Sequence, residues 1–175
     1  KPSSAASDVY KRQVHHSATG SGTFEHLTAG PTTLLDPTGE GTVGSAVKDS
    51  AIVAAARAAG IPVETVPQLV AIAGDSNSKA QTEAKTILRE RAVVLGEAVS
   101  SLVGLFNPTR VVLGGQAFTD YPDTLNLIAS LIHQNSTDVD IRVTAARGRV
   151  QQQAAAAVAI TAVAYDPLHA VEGAR

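Results

Sequence analysis

The chain has 175 residues, a net charge near −2 and no cysteine, which excludes disulfides and thiolate metal sites and disfavours a broad basic nucleic-acid surface. With 44% hydrophobic residues it can bury a sizeable core, whereas 3% aromatics without tryptophan argue against a stacking platform for single-stranded nucleic acid. The length suits one domain, or part of a larger one, since domains centre on roughly 100–150 residues.

No apolar run reaches the roughly 18–20 residues a membrane span needs. No basic segment leading into an apolar one opens the chain, so a secretory leader is not expected and the cytoplasm is the expected location. The opening "KPSSAASDVYKRQ" has no apolar periodicity and resembles a peptide translated from sequencing-adapter read-through. Residues 1–13 are therefore expected to be non-native and 1–21 a disordered tail. The domain is expected over 22–166, with a C-terminal tail over 167–175.

From Phe24, the spacing of Phe24, Leu27, Leu34 and Leu35 is compatible with a helix interrupted at Gly30-Pro31. "DPTGEG" reads as a loop. Residues 45–59 read as a helix with an Ala/Val/Ile face, stopped by Gly60, and "IPVETVP" as an extended link. Thr65 is placed to N-cap a short helix from Val66, with Pro67 in its first turn and Gly74 at its end.

The strongest signal is a long helix over residues 78–106. Its apolar residues, from Ala84, Ile87 and Leu88 through Ala92, Leu95 and Val99 to Leu102, Val103 and Phe106, keep helical spacing. Asn107-Pro108 stops it. "TRVVLGG" then reads as a strand apolar on both faces, as in a covered parallel sheet. Asp120 and Asp123 frame a helix start with Pro122 in the first turn, and "DIRVTAA" is a second strand, completing a βαβ unit. An Ala/Val-rich helix is expected over 150–165.

Gly114 and Gly115 fall at the carboxyl end of a parallel strand, where open α/β sheets bind ligands, and glycine there would let backbone N–H groups approach a phosphate or ribose. A Gly-Gly pair after a strand also serves as a simple turn. The charge run Arg89, Glu90 and Arg91 reads as the solvated face of the long helix. His15, His16 and His26 read as solvated.

"ERAVVLGEAVSSLVGLFNPTRVVLGGQAF" resembles the ROK family of sugar kinases and transcriptional repressors, with Leu95, Gly96, Asn107, Pro108, Gly114 and Gly115 at the family's motif positions. "HSATGSGTFEHLTAGP" is similar to the family's cysteine segment, with Gly22, Glu25, Gly30 and Pro31 preserved. The resemblance covers residues 22 to about 164, and within the family it is strongest to transcriptional regulators of actinobacterial type. It implies an α/β fold, the C-terminal half of an actin-like (ribonuclease H-like) sugar kinase fold, helix-rich with a short parallel βαβ unit.

It further implies that Glu25, and with it His26, contacts a sugar, and that Gly114, Gly115 and Gln116 form a turn on the nucleotide side. The three zinc cysteines of the family fall on His16, Ala18 and Thr23, so the usual zinc site is not expected to form, and no metal site is expected. No catalytic residue is expected either, because the family's phosphate loop, catalytic aspartate and E-x-G-H motif have no counterpart in these residues.

The expected role is a fragment of a sugar-responsive regulator, the effector-binding and dimerisation portion, pairing as a homodimer and touching DNA only through an N-terminal region. No cofactor is expected in it. The alternative is the C-terminal fragment of a glucokinase-like, ATP-dependent sugar kinase, which would need ATP and Mg. A third reading is an interaction module that keeps the fold for dimerisation alone. Gln151, Gln152 and Gln153 at the start of the last expected helix favour the regulator, because bulky amides would narrow a nucleotide cleft.

Overall fold

The computed structural model describes residues 23–135 and 138–144. The expected tail over 1–21, the helix over 150–165, His15 and His16, and the glutamines at 151–153 lie outside the described residues.

In chain order the elements are α1 (Val43–Val47), α2 (Asp49–Ala58), α3 (Val66–Gly74), α4 (Gln81–Phe106), β1 (Arg110–Leu113), α5 (Gln116–Thr119), a 3-10 turn (Pro122–Thr124), α6 (Leu125–Asn135) and β2 (Asp140–Val143). β1 and β2 pair in parallel, Arg110 opposite Asp140 and Leu113 opposite Val143. The fold is thus helix-rich α/β with a short parallel sheet.

α4 organises the core. Its buried Ala84, Ile87 and Leu88 join Ile52, Ile61 and Leu69 in one apolar cluster with α1, α2 and α3. Ala92 and Val103 join Leu113, Ile128 and Ile132 in a second, against α6 and the sheet. Its first turn is Gln81 rather than residue 78, since 78–80 form a turn, and its end is set by Asn107, which adopts a left-handed conformation at φ 44°. Phe106, the last residue of the expected apolar stripe, is 71% exposed.

α3 follows its local signals. Thr65 is its N-cap, Pro67 lies in the first turn, and the Gln68 side-chain carbonyl accepts the N–H groups of Glu64 and Thr65 at 2.7 and 3.2 Å.

Elsewhere the structure differs from the sequence expectations. Residues 23–42 form turns and a single bridge between Thr28 and Thr42, not a helix. Phe24, Leu27 and Leu34 stay exposed and only Leu35 is buried, so the helical spacing had no core to serve. The helix expected over 45–59 is two helices: Thr42 caps the first, accepting the Ser45 N–H at 3.1 Å, and Lys48 breaks the run with an extended ψ of 144°.

Asp120 does not start a helix but closes α5 as its C-cap, and regular α6 begins only at Leu125, after the Pro122 turn. The strand β1 is not covered on both faces, since Val112 is 59% exposed beside the Arg110–Asp140–Arg142 ion pairs.

Candidate functional site

β1 ends at the buried Leu113 and the chain turns through Gly114 and Gly115 into α5. Gly115 has φ 106° and ψ 166°, a region essentially reserved to glycine. A Cβ added there would meet nothing within 4 Å. Backbone conformation alone therefore requires glycine at 115, and among the described residues no other group approaches it. The Gly115 carbonyl accepts from the Phe118 N–H at 3.0 Å and from the Thr119 hydroxyl at 3.2 Å, which folds the turn onto α5.

Gln116 lines a cavity of about 30 Å³, with Asp120 and Tyr121 beside it and Asp49 and Arg91 across from it. Such a volume holds one or two waters, each needing about 10–15 Å³. Burial, followed by the charge and hydrogen bonding of Asp123, raises the Tyr121 phenol above its ordinary pKa.

The charged side chains at the centre of α4 are not simply a solvated face. The Glu90 carboxylate accepts the N–H groups of Thr33, Leu34 and Leu35 and the Thr33 hydroxyl, at 2.7 to 3.3 Å. Burial opposes its ionisation, but these hydrogen bonds outweigh burial and hold its pKa below the usual glutamate value. Arg91, with a side chain only 13% exposed, donates to Asp49 at 2.8 Å, while its Nε is buried without a partner. No local sequence signal marks these contacts, because their partners lie 42 to 57 positions away.

Glu25 lies at the other end of the 23–42 segment. Its N–H donates to the Thr23 hydroxyl at 3.2 Å, and its carbonyl accepts the Gly44 N–H at 2.8 Å. A Cβ at Gly44 would stand 3.0 Å from the Glu25 Cβ and 3.1 Å from its carbonyl oxygen, so the absent side chain at 44 lets the strand of chain carrying Glu25 dock on α1. The Glu25 carboxylate is 59% exposed and has the Lys48 ammonium 4.0 Å away. His26 is exposed. Neither Glu25 nor His26 lines the Gln116 cavity, so the two sets of expected site residues are not brought together in one pocket.

Thr23, at the third expected zinc position, has a hydroxyl oxygen that accepts the Glu25 N–H, and Ala18 has no ligating atom, so the donor set does not fit a zinc of the family kind. Among the described residues no group of three or more His, Asp or Glu side chains could hold a metal, and no helix is long and apolar enough to cross a membrane.

Of the remaining motif glycines, Gly96 has a steric reason: a Cβ there would lie 2.7 Å from Leu131 Cδ1 and 3.4 Å from the Ile128 Cα, so glycine brings α4 against α6, whereas at Gly30 a Cβ would meet only the movable end of the Glu97 side chain. No family model matches the chain.

Over 173 residues it is 37% identical to the transcriptional regulator Rv0485 of Mycobacterium tuberculosis and equally to the transcriptional regulator Mb0495 of Mycobacterium bovis. The match takes in 91% of this chain and 38% of each relative, so the chain spans less than half the length of the regulators it matches. Among solved structures, a ROK family transcriptional regulator described as a homologue of the E. coli MLC protein superposes with a TM-score of 0.51 at 22% identity, covering 70% of this chain and 34% of that one. The likeness to that structure is one of fold, while the mycobacterial matches make most of this chain similar to part of a transcriptional regulator.

Proposed function

We propose that this chain is of the ROK family and forms the effector-binding and dimerisation portion of a sugar-responsive transcriptional regulator, built as the C-terminal half of an actin-like sugar kinase fold. The observation that carries the reading is the 37% identity to transcriptional regulators over 91% of the chain.

In this reading the Glu25 carboxylate accepts hydrogen bonds from neighbouring sugar hydroxyls, a geometry suited to its several acceptor sites, and His26 lies next to it. Lys48, 4.0 Å from Glu25, offers a donor to a ring or hydroxyl oxygen. The sugar acts by binding one conformation of the protein better than another, which biases DNA contacts made by other parts of the molecule. Leu105 and Phe106, 74% and 71% exposed at the end of α4, supply apolar surface for pairing of two copies in the cytoplasm.

The test is calorimetric titration of a monosaccharide panel into the wild type and Glu25→Ala. The substitution is expected to weaken the binding sugar by roughly tenfold, the value of one charge-assisted hydrogen bond, while the thermal midpoint stays unchanged. Equal affinity in both proteins would overturn the assignment of Glu25.

A further inference from the structure

The Arg91 Nε is buried and meets no acceptor among the described residues, although Nη2 of the same guanidinium donates to Asp49 at 2.8 Å. Buried polar groups are almost always hydrogen-bonded, and leaving a charged donor unmet costs more than leaving a neutral one. Arg91 and Asp49 both line the cavity of about 30 Å³ between α4, α2 and α3. Across it stand Gln116, the first residue of α5, and Asp120, its C-cap.

The lining selects what the cavity holds. Its volume suits one or two waters, each needing about 10–15 Å³. A cation would face the Arg91 guanidinium and an anion the Asp49 and Asp120 carboxylates, so neither gains there. A neutral molecule of water's size, able to accept on one side and donate on the other, suits both walls. Leu88, Ala92 and Leu95 of α4 and Val66 of α3 complete the lining and are apolar, so they offer no competing partner.

We infer that this cavity is a hydration site whose water accepts the Arg91 Nε hydrogen and donates to the Gln116 side-chain carbonyl and the Asp120 carboxylate. Three hydrogen bonds are the usual complement of a buried water. Arg91 is then a positioning residue for the glycine turn, holding the segment after Gly115 to α4 through the water and to α2 through Asp49. The tether matters because α5 spans only four residues, far too few to hold a helix by its own hydrogen bonds. The site stands independently of the Glu25 assignment.

The test records water–protein Overhauser spectra of the isotope-labelled full chain. A direct contact between water and the Arg91 Nε hydrogen is expected, distinguished from chemical exchange by its opposite sign in the rotating frame. Arg91→Lys keeps a positive charge facing Asp49 but has no Nε. It is expected to speed solvent exchange of the Phe118 and Asp120 amides, which donate to Gly115 and Gln116, by about fivefold, the equivalent of one net hydrogen bond. The Ala46 amide, which donates to Thr42 in α1, should keep its rate. Absence of the water contact in the wild type overturns the inference, whether or not the variant folds. Unchanged exchange at Phe118 and Asp120 overturns it too. Equal speeding at Phe118, Asp120 and Ala46 would report a general loosening and would also overturn the assignment of Arg91 to the turn.

Discussion

The guanidinium of Arg91 on α4 reaches the carboxylate of Asp49 at the start of α2 at 2.8 Å, and it does so from a position where only 13% of its side chain is exposed. Asp49 is 68% exposed, so the two partners contribute unequally. Removing Asp49 leaves a largely buried cation whose Nε already lacks a partner. Asp49→Ala is expected to cost about 1–3 kcal/mol in urea unfolding. Arg91→Met, which removes the charge and keeps the stem's packing, is expected to stay within about 1 kcal/mol of wild type. In the Arg91→Met background, Asp49→Ala should then cost only the helix-dipole contribution, about 0.3–1 kcal/mol. Equal costs of Asp49→Ala in both backgrounds would show that the pair does not couple.

Two glycines of α4 predict opposite outcomes for the same substitution. At Gly96 a Cβ would be 2.7 Å from Leu131 Cδ1 and 3.2 Å from its Cβ, whereas at Gly104 it would meet nothing within 4 Å. Gly104→Ala is expected to stabilise by about 0.5–1 kcal/mol through helix propensity alone. Gly96→Ala gains the same propensity but forces α4 and α6 apart, at a cost of about 1–3 kcal/mol, and is expected to destabilise. Thermal midpoints moving in opposite directions would support this packing. A rise for both would mean that Leu131 moves aside freely.

Where structure was legible in the sequence, neighbours in the chain determine it. Thr65, Pro67 and Gly74 bound α3, the apolar repeat of α4 matches its buried face, and the β-branched runs give the parallel pair of β1 and β2. Residues 23–42 depart from the helical reading because side-chain hydrogen bonds replace a helical ladder there: Asp36 accepts the Glu40 and Gly41 N–H groups, and the most distant partner is Glu90. Their shape depends on Glu90, which caps three consecutive N–H groups from a helix 55 to 57 positions away. For the same reason Glu90 and Arg91 looked like surface charges. Of the candidate site, Gly114, Gly115 and Glu25 could be singled out by motif, but Lys48 beside Glu25 and Asp49 beside Arg91 depend on the break between α1 and α2. That break leaves no composition signal.

Glu90 also makes a prediction about acid. Its hydrogen bonds outweigh burial, so it ionises more readily folded than unfolded. A carboxyl of that kind contributes stability at pH values above the ordinary glutamate range and loses it as pH falls through its lowered folded value. Wild type is therefore expected to lose its advantage over Glu90→Gln as pH drops from about 5 to about 3, the interval around the ordinary glutamate pKa. Urea midpoints of the two proteins across that interval check it. A constant difference would show that the Glu90 charge is not what holds the 33–35 loop.

Gly115 separates two reasons for a glycine. Because its backbone lies in a region other residues avoid, Gly115→Ala is expected to cost about 1–3 kcal/mol. Because no atom lies within 4 Å of where its Cβ would stand, Gly115→Ser should cost nearly the same. The strain is in φ and ψ and does not grow with one further atom in open space. Equal losses in unfolding midpoint for the two variants would support backbone conformation as the constraint. A loss that rises from alanine to serine would instead mean that another part of the chain approaches this turn closely.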